Sequence, residues 1–163
     1  MRVLCILSIL VALVGPPVHG RDETYPPLSR PLTIEQVPGK EIFYSIGNPE
    51  IPSKENEGNT SNGGYVITSD GVVVFDALGT PSLGWALLKD IRSRTDMNVR
   101  YVVVSHYHAD HIYGLQAFKD HTRAQIIAQE RAADYTENSE TSDERAEVRL
   151  DQRKAALSPW VND

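Results

Sequence analysis

The segment His106-Tyr107-His108-Ala109-Asp110-His111 holds three of the chain's five histidines, together with a carboxylate, within six positions. Neutral imidazoles and a carboxylate form a ligand set that suits zinc better than iron or manganese. The apolar run Tyr101-Val102-Val103-Val104 comes just before this segment, with only Ser105 between them. A turn that leaves a strand can direct alternate side chains into one cavity, so the segment predicts a metal site. The alternative is a polar loop with unrelated surface histidines.

The residues after this segment favour a helix. Apolar side chains stand at Ile112, Leu115 and Phe118, which is the spacing of a short amphipathic helix over residues 112–119. The predicted ligands therefore lie on a turn from a strand to a helix. Open sheets with parallel strands place their sites at the carboxyl ends of strands, and this turn has that placement.

The run from His106 to His111 resembles the His-x-His-x-Asp-His signature of the metallo-β-lactamase superfamily. The resemblance extends upstream through residues 62–67 and 72–76 and covers about residues 41–130. It implies an α/β (α+β) fold of the metallo-β-lactamase type, an αββα sandwich with a dinuclear metal centre between its two sheets. Only the N-terminal part of that sandwich is expected in this chain.

The resemblance also implies a role for each matching residue. His106 and His108 correspond to ligands of the first metal, and Asp110 and His111 to ligands of the second, with zinc as the expected ion and two ions in the complete site. Asp76, at the end of its own strand, corresponds to the acidic position that steadies the ligand loop. The alternative for Asp76 is a turn aspartate that simply ends a strand.

The family completes its metal site with a histidine, an aspartate and another histidine that lie well downstream. After His111 the only histidine in this chain is His121, in the polar stretch Lys119–Arg123, which is typical of a surface turn. A lone histidine there is expected to be solvated rather than to bind metal. We therefore expect the N-terminal portion of a larger enzyme. A half sandwich would leave one sheet face without a partner, which favours self-association or a complementing C-terminal chain.

The activity implied by the resemblance is hydrolysis of a small molecule by a zinc-bound hydroxide that attacks a carbonyl carbon, in a β-lactam, an ester or a thioester. Asp110 would orient the nucleophile and later pass a proton to the leaving group. Two alternatives stay open. The chain is a truncated or split metal-binding fragment without activity, or it is a periplasmic metallohydrolase of the relay type linked to quinoprotein or sulfur metabolism.

The first twenty residues have the pattern of a secretory signal peptide. Arg2 precedes the apolar run Val3–Val14, which is too short to span a bilayer comfortably, and Val18 and Gly20 permit cleavage before Arg21. An uncleaved anchor is the alternative. The expected location is periplasmic or secreted, without stable membrane insertion after cleavage. Cys5, the only cysteine, would be lost, so the mature chain would contain no disulfide.

A net charge of −6 without a basic cluster argues against nucleic acid as a partner. Residues 21–40, rich in proline, are expected to form an extended leader that does not pack, and residues 41–163 a metallo-β-lactamase-like domain that is incomplete at its C-terminus. Asn48–Gly64 is expected to be a long loop. The predicted strands are 41–47, 64–68, 72–75, 99–104 and 124–128, and Asp70-Gly71 between the second and third predicts a β-hairpin. The predicted helices are 81–93, capped by Thr80, and a solvated one over 141–157.

Overall fold

The computed structural model describes residues 25–130 and 151–161. Within these ranges the chain forms a six-stranded sheet in which the strands follow one another in chain order. Strands β1 to β4 pair antiparallel, and β4, β5 and β6 pair parallel. The strands are β1 (Glu35–Gln36), β2 (Ile42–Ser45), β3 (Gly63–Thr68), β4 (Gly71–Phe75), β5 (Val99–Val103) and β6 (Gln125–Ile127), and the helices are α1 (Pro81–Arg94), α2 (Ala109–Ile112) and α3 (Leu115–His121).

The predicted hairpin and the predicted helix at residue 81 are both confirmed. Thr68 pairs with Gly71 at the tip of the β3–β4 hairpin, where Gly71 has φ +136°, a conformation that favours glycine. The side chain of Thr80 accepts a hydrogen bond from the backbone N–H of Leu83 and so caps α1, which begins at Pro81. Helix α1 is the crossover that makes β4 and β5 parallel.

The core lies between one face of the sheet and helices α1 and α3. Val72, Val74 and Val102 are fully buried there against α1 and α3. The strand residues that alternate with these buried ones point to the opposite face of the sheet. On that face Phe75, next to Val103, is 49% exposed and Ile127 is 45% exposed. The described part of the fold is therefore covered on one face of its sheet and carries exposed apolar side chains on the other.

The single helix predicted over residues 112–119 is wrong. Two helices stand in its place, separated at Tyr113-Gly114, because the Gly114 N–H donates to the Leu78 carbonyl at 2.9 Å. A Cβ atom on Gly114 would overlap the carbonyl of Ala77, so the chain can pass this close only at a glycine. The surface turn predicted around His121 is also wrong, since α3 continues to that residue.

Two segments that were expected to be solvated are packed. In the leader, Tyr25, Leu28, Leu32 and Ile34 pack against the core, so the expectation that it stays unpacked is wrong for residues 25–34. Residues 151–161, called here the C-terminal segment, are helical over 151–157, and their Leu157 and Val161 are buried. Trp160 Nε1 donates to the Pro27 carbonyl at 3.1 Å.

The predicted signal peptide and the predicted start of the last helix at Thr141 lie outside the described residues. Within the described ranges, no helix is both long enough and apolar enough to cross a membrane.

Candidate metal centre

The predicted site residues come together at one edge of the sheet. Since β4 and β5 are parallel neighbours, the segments that follow them leave the sheet side by side. The backbone joins these two segments: the Ala77 N–H donates to the His111 carbonyl, and the Gly114 N–H to the Leu78 carbonyl, both at 2.9 Å. The loop after β4 therefore serves as a support for the segment that carries the histidines.

Asp76 is the centre of this support. Its buried carboxylate accepts the backbone N–H of Ser105 at 2.8 Å and the Ser105 hydroxyl at 2.7 Å. The same carboxylate lies 2.8 Å from Nδ1 of His111. An ionised carboxylate can only accept hydrogen bonds, so Nδ1 of His111 carries the proton and Nε2 is the ring nitrogen left for a metal.

The loop after β4 is held in an uncommon backbone conformation. Asp76 has φ 56° and Leu78 has φ 70°, both in the left-handed region, where a bulky residue such as leucine is rare. Such a conformation persists only where the surroundings hold it, and residues in it cluster at functional sites. Here it brings the Asp76 carboxylate to Ser105 and His111 while Leu78 stays buried in the core.

The histidines of the motif lie close together. The ring centroids of His106 and His111 are 4.1 Å apart, and those of His106 and His108 are 4.6 Å apart. Oδ2 of Asp110 lies 3.7 Å from Nε2 of His111. His106 and His108 are exposed, whereas Asp110 and His111 are half-buried, so the second pair has the more fixed surroundings.

These residues fit a zinc ion in their chemistry and in part of their geometry. With Zn–N and Zn–O distances of about 2.0–2.1 Å, two ligand atoms of a tetrahedral site lie about 3.3 Å apart. Asp110 Oδ2 and His111 Nε2, at 3.7 Å, are a few tenths of an ångström from that separation. Among the residues that the structure describes, no group of three such side chains is arranged to hold a metal. Two donors are thus in place, and the exposed His106 and His108 would need to rotate to join them.

The electrostatic surroundings of His106 favour a neutral ring. Its pKa lies below the usual value, first because of desolvation and then because a proton on His106 would be repelled by a proton on neighbouring His111 or His108; Asp76 and Asp110 oppose this shift. A metal binds only the unprotonated nitrogen of an imidazole, so a lowered pKa removes a competing proton.

His121, the remaining candidate, lies in different surroundings. Its ring centroid is 4.3 Å from that of Trp85 and 5.9 Å from that of Tyr25. Its carbonyl accepts a hydrogen bond from Arg92 at 2.9 Å. None of the described contacts of its ring is with the motif, so the structure does not bring His121 to the other site residues.

Two further residues support the motif and were not predicted from the sequence. The hydroxyl of buried Ser61 donates to the carbonyl of Asp110, which ties the long loop before β3 to the motif. Arg153, in the C-terminal segment, donates from Nη2 to the Gly79 carbonyl at 3.2 Å, with its guanidinium 5.0 Å from the centroid of the Tyr113 ring. Both residues lie in stretches whose pattern indicates only a loop or a charged helix, so no local signal marks them.

Comparisons with known proteins bear on the family and the fold of this chain. The family model described as "Metallo-beta-lactamase superfamily" matches residues 57–161. No protein with a curated description matches the chain significantly. A solved metallo-beta-lactamase from Pontibacter korlensis is 22% identical, with a TM-score of 0.51 over 66% of this chain and 48% of that chain.

Two further solved structures are similar over shorter shares of their length. A motif mutant of a metallo-beta-lactamase from Cronobacter sakazakii is 22% identical, with a TM-score of 0.43 over 58% of this chain and 33% of that chain. A double mutant of the sec-alkyl sulfatase PisA1 is 22% identical, with a TM-score of 0.45 over 66% of this chain and 16% of that chain. This chain thus spans less than half the length of each of these solved proteins.

The family model covers more than half of the chain and includes both the loop after β4 and the histidine motif. The mixed sheet agrees with the fold of the Pontibacter korlensis protein. The chain belongs to the metallo-beta-lactamase superfamily.

Proposed function

We propose that this chain carries the metal-binding half of a zinc-dependent hydrolase. The observation that carries the proposal is the Asp76–His111 pair, which leaves Nε2 of His111 free within 3.7 Å of the Asp110 carboxylate. A metal-ligating histidine that donates its other nitrogen to a carboxylate is a common arrangement in zinc sites. Superfamily membership supports hydrolysis as the reaction class.

The roles of the residues follow from their surroundings. Asp110 and His111 would hold one ion, and His106 and His108 would hold a second after rotation. Zinc supplies Lewis acidity, which polarises a substrate carbonyl and lowers the pKa of water to about 7. Asp110 would also orient the attacking water and pass a proton to the leaving group. Asp76 keeps the His111 ring in one tautomer and one orientation.

A second proposal is that the site works only when another polypeptide segment completes it. Two observations favour it. The described residues contain no converged set of three ligands. The exposed side chains of Phe75 and Ile127 flank Val103 in one row at the edge that carries the site. A second sheet that packs on this face would bury the row and would bring further ligands to the same edge. The segment is either a C-terminal continuation of the chain or a separate protein.

Zinc binding is tested first, on the purified chain with residues 1–20 removed. We expect elemental analysis to find bound zinc, and His108→Ala and Asp110→Asn to reduce it. The matched control is His121→Gln, because it changes a histidine whose ring contacts are away from the motif. Bound zinc that is unaffected by His108→Ala or Asp110→Asn, or an absence of zinc both in this chain and in a longer form that continues downstream, would refute the zinc site; zinc bound by the longer form alone would support the second proposal.

Hydrolysis is tested next with nitrocefin, simple esters and a thioester panel, on this chain alone and on a longer form that continues downstream. Turnover by the chain alone, lost in His108→Ala, supports the hydrolase proposal without a complementing segment. Turnover only by the longer form supports the second proposal. We also propose that the protein is exported to the periplasm or secreted. N-terminal sequencing of the protein from the periplasmic and extracellular fractions tests this, and we expect Arg21 to be the first residue.

A further inference from the structure

Arg153 is a half-buried cation that lies next to the loop after β4 and to the end of helix α2. Burial lowers the pKa of its guanidinium, and the negative charge of Asp110 opposes this effect. Among the described residues, no carboxylate forms an ion pair with it, and its Nε is buried without a hydrogen-bond partner. A buried charge loses hydration, so the polar and aromatic groups that contact it contribute to holding it in place.

The guanidinium has two described contacts, one with each of two segments of the site. Nη2 donates to the carbonyl of Gly79, in the loop after β4 that begins with Asp76. The guanidinium carbon Cζ lies 5.0 Å from the centroid of the Tyr113 ring. Tyr113 directly follows helix α2, which contains Asp110 and His111. One side chain thus contacts both segments that carry the proposed ligands and their support.

The space at Gly79 makes this contact possible. A Cβ atom at Gly79 would lie 2.9 Å from Nη2 of Arg153 and 3.3 Å from Cα of Asp110. The nearest atom to that position is the Gly58 carbonyl oxygen, so Gly58, Arg153 and the backbone of Asp110 all crowd the place that a side chain would take. Leu157, one helical turn after Arg153, is fully buried and lies beside Gly58, so the helix that presents Arg153 is itself anchored.

We propose that Arg153 is a positioning residue for the metal site. Its side chain holds the loop after β4 against the end of helix α2, a contact called here the clamp, and so fixes the ligands Asp110 and His111. The proposal rests on the zinc site proposed above. The described contacts of the Arg153 guanidinium are with Gly79 and Tyr113, neither of which is a proposed ligand, so Arg153 acts through them. Its planar fork gives both contacts at once, which the ammonium group of a lysine does not reproduce.

Two substitutions separate geometry from charge. Arg153→Lys keeps the charge and loses the fork, and Arg153→Met keeps an apolar stem and loses both. If the clamp matters, both variants bind zinc about tenfold more weakly, at the lower end of the effect of supporting residues in metal sites. If only the charge matters, Arg153→Lys is unchanged and Arg153→Met binds zinc more tightly, because a repelling cation has gone. Gln152→Met, exposed on the same helix, is the control and is expected to be unchanged.

Zinc affinity is measured by competition with a chelating dye, with zinc alone as the probe. A second measurement needs no metal: hydrogen exchange at the amides of Ala77 and Gly114, which bond the loop to the motif. Loss of the clamp speeds exchange at these two amides and leaves the Val104 amide, bonded to Ile127 in the sheet, unchanged.

Equal acceleration at all three amides would show a general loss of stability and would overturn the proposal. Unchanged exchange at Ala77 and Gly114, or unchanged zinc affinity in both Arg153 variants, would also overturn it. Failure of both the unchanged chain and the longer form to bind zinc would refute the zinc site instead, and the exchange measurement would still decide whether Arg153 clamps the two segments.

Discussion

Nδ1 of His111 donates a hydrogen bond to the Asp76 carboxylate across 2.8 Å, although the two residues are 35 positions apart in the chain. The contact exists because β4 and β5 are parallel and adjacent, so the residue after one strand meets the residues after the other. This hydrogen bond keeps the proton of the His111 ring on Nδ1 and leaves Nε2 for a metal. The support of the site is therefore a property of the sheet topology.

Asp76→Asn tests this support. Asparagine tolerates the left-handed backbone of residue 76, so the substitution changes the charge and the accepting capacity without adding backbone strain. The two carboxylate oxygens of Asp76 accept hydrogen bonds from Ser105 and His111, whereas the amide of asparagine has one accepting oxygen and cannot replace both. We therefore expect zinc affinity to fall about 10- to 100-fold. Chelator competition measures it. Asp70→Asn, in the exposed hairpin turn, is the control; an equal fall there would contradict a specific role for Asp76.

Ser61→Ala removes the hydrogen bond that ties the long loop to the Asp110 carbonyl. We expect a loss of about 1 kcal/mol in the free energy of unfolding, since the buried carbonyl loses a partner, and a measurable loss of zinc affinity. Urea unfolding and dye competition measure the two effects. Ser53→Ala, in the same loop but bonded only within it, should leave zinc affinity unchanged. If the two variants bind zinc equally well, Ser61 does not position Asp110.

Tyr65→Phe tests a contact that links the sheet to α1 on the core side. The Tyr65 hydroxyl donates to the Asp90 carboxylate at 2.5 Å, and burial, followed by this bond, raises its pKa above the usual value. Below pH of about 10 the phenol is protonated in both the folded and the unfolded chain, so the contribution of this bond is fully present. Above that pH the unfolded chain ionises first, and stability falls as pH rises.

We expect Tyr65→Phe to lower the free energy of unfolding at pH 8 by about 1.5–3 kcal/mol, the usual range for a hydrogen bond to a charged group. The variant should also lose part of the fall in stability above pH 10. Urea unfolding from pH 8 to pH 11 measures both effects. Tyr101→Phe serves as the control, and a fall in stability that is identical in the unchanged chain and in Tyr65→Phe would argue against the raised pKa.

Leu157→Ala tests whether the C-terminal segment is part of the folded unit. Leu157 is fully buried and lies against Gly58, so its truncation leaves a cavity. We expect a loss of about 2–5 kcal/mol in the free energy of unfolding. Gln152→Ala, on the exposed face of the same helix, should change it by less than about 0.5 kcal/mol. Equal stabilities of the two variants would mean that the segment does not pack as described.

The sequence by itself determined the elements whose signals are local. The apolar run Val72–Phe75 of β4, the Asp70-Gly71 turn and the Thr80-Pro81 start each depend on neighbouring residues, and all three predicted features are confirmed. The histidine motif is likewise local, because six consecutive residues define it. These residues were enough to predict the family and its fold class, which the comparisons show.

Tertiary structure alone decided the features that join distant parts of the chain. The break at Gly114 depends on the approach of Ala77 and Gly84, and no periodicity within residues 112–119 reveals it. The contacts of Ser61 and Arg153 with the site depend on how the loop and the C-terminal segment fold back over it. A side chain carries its own hydrogen-bonding capacity in the sequence, but its partner is chosen only when the sheet brings separate segments to one edge.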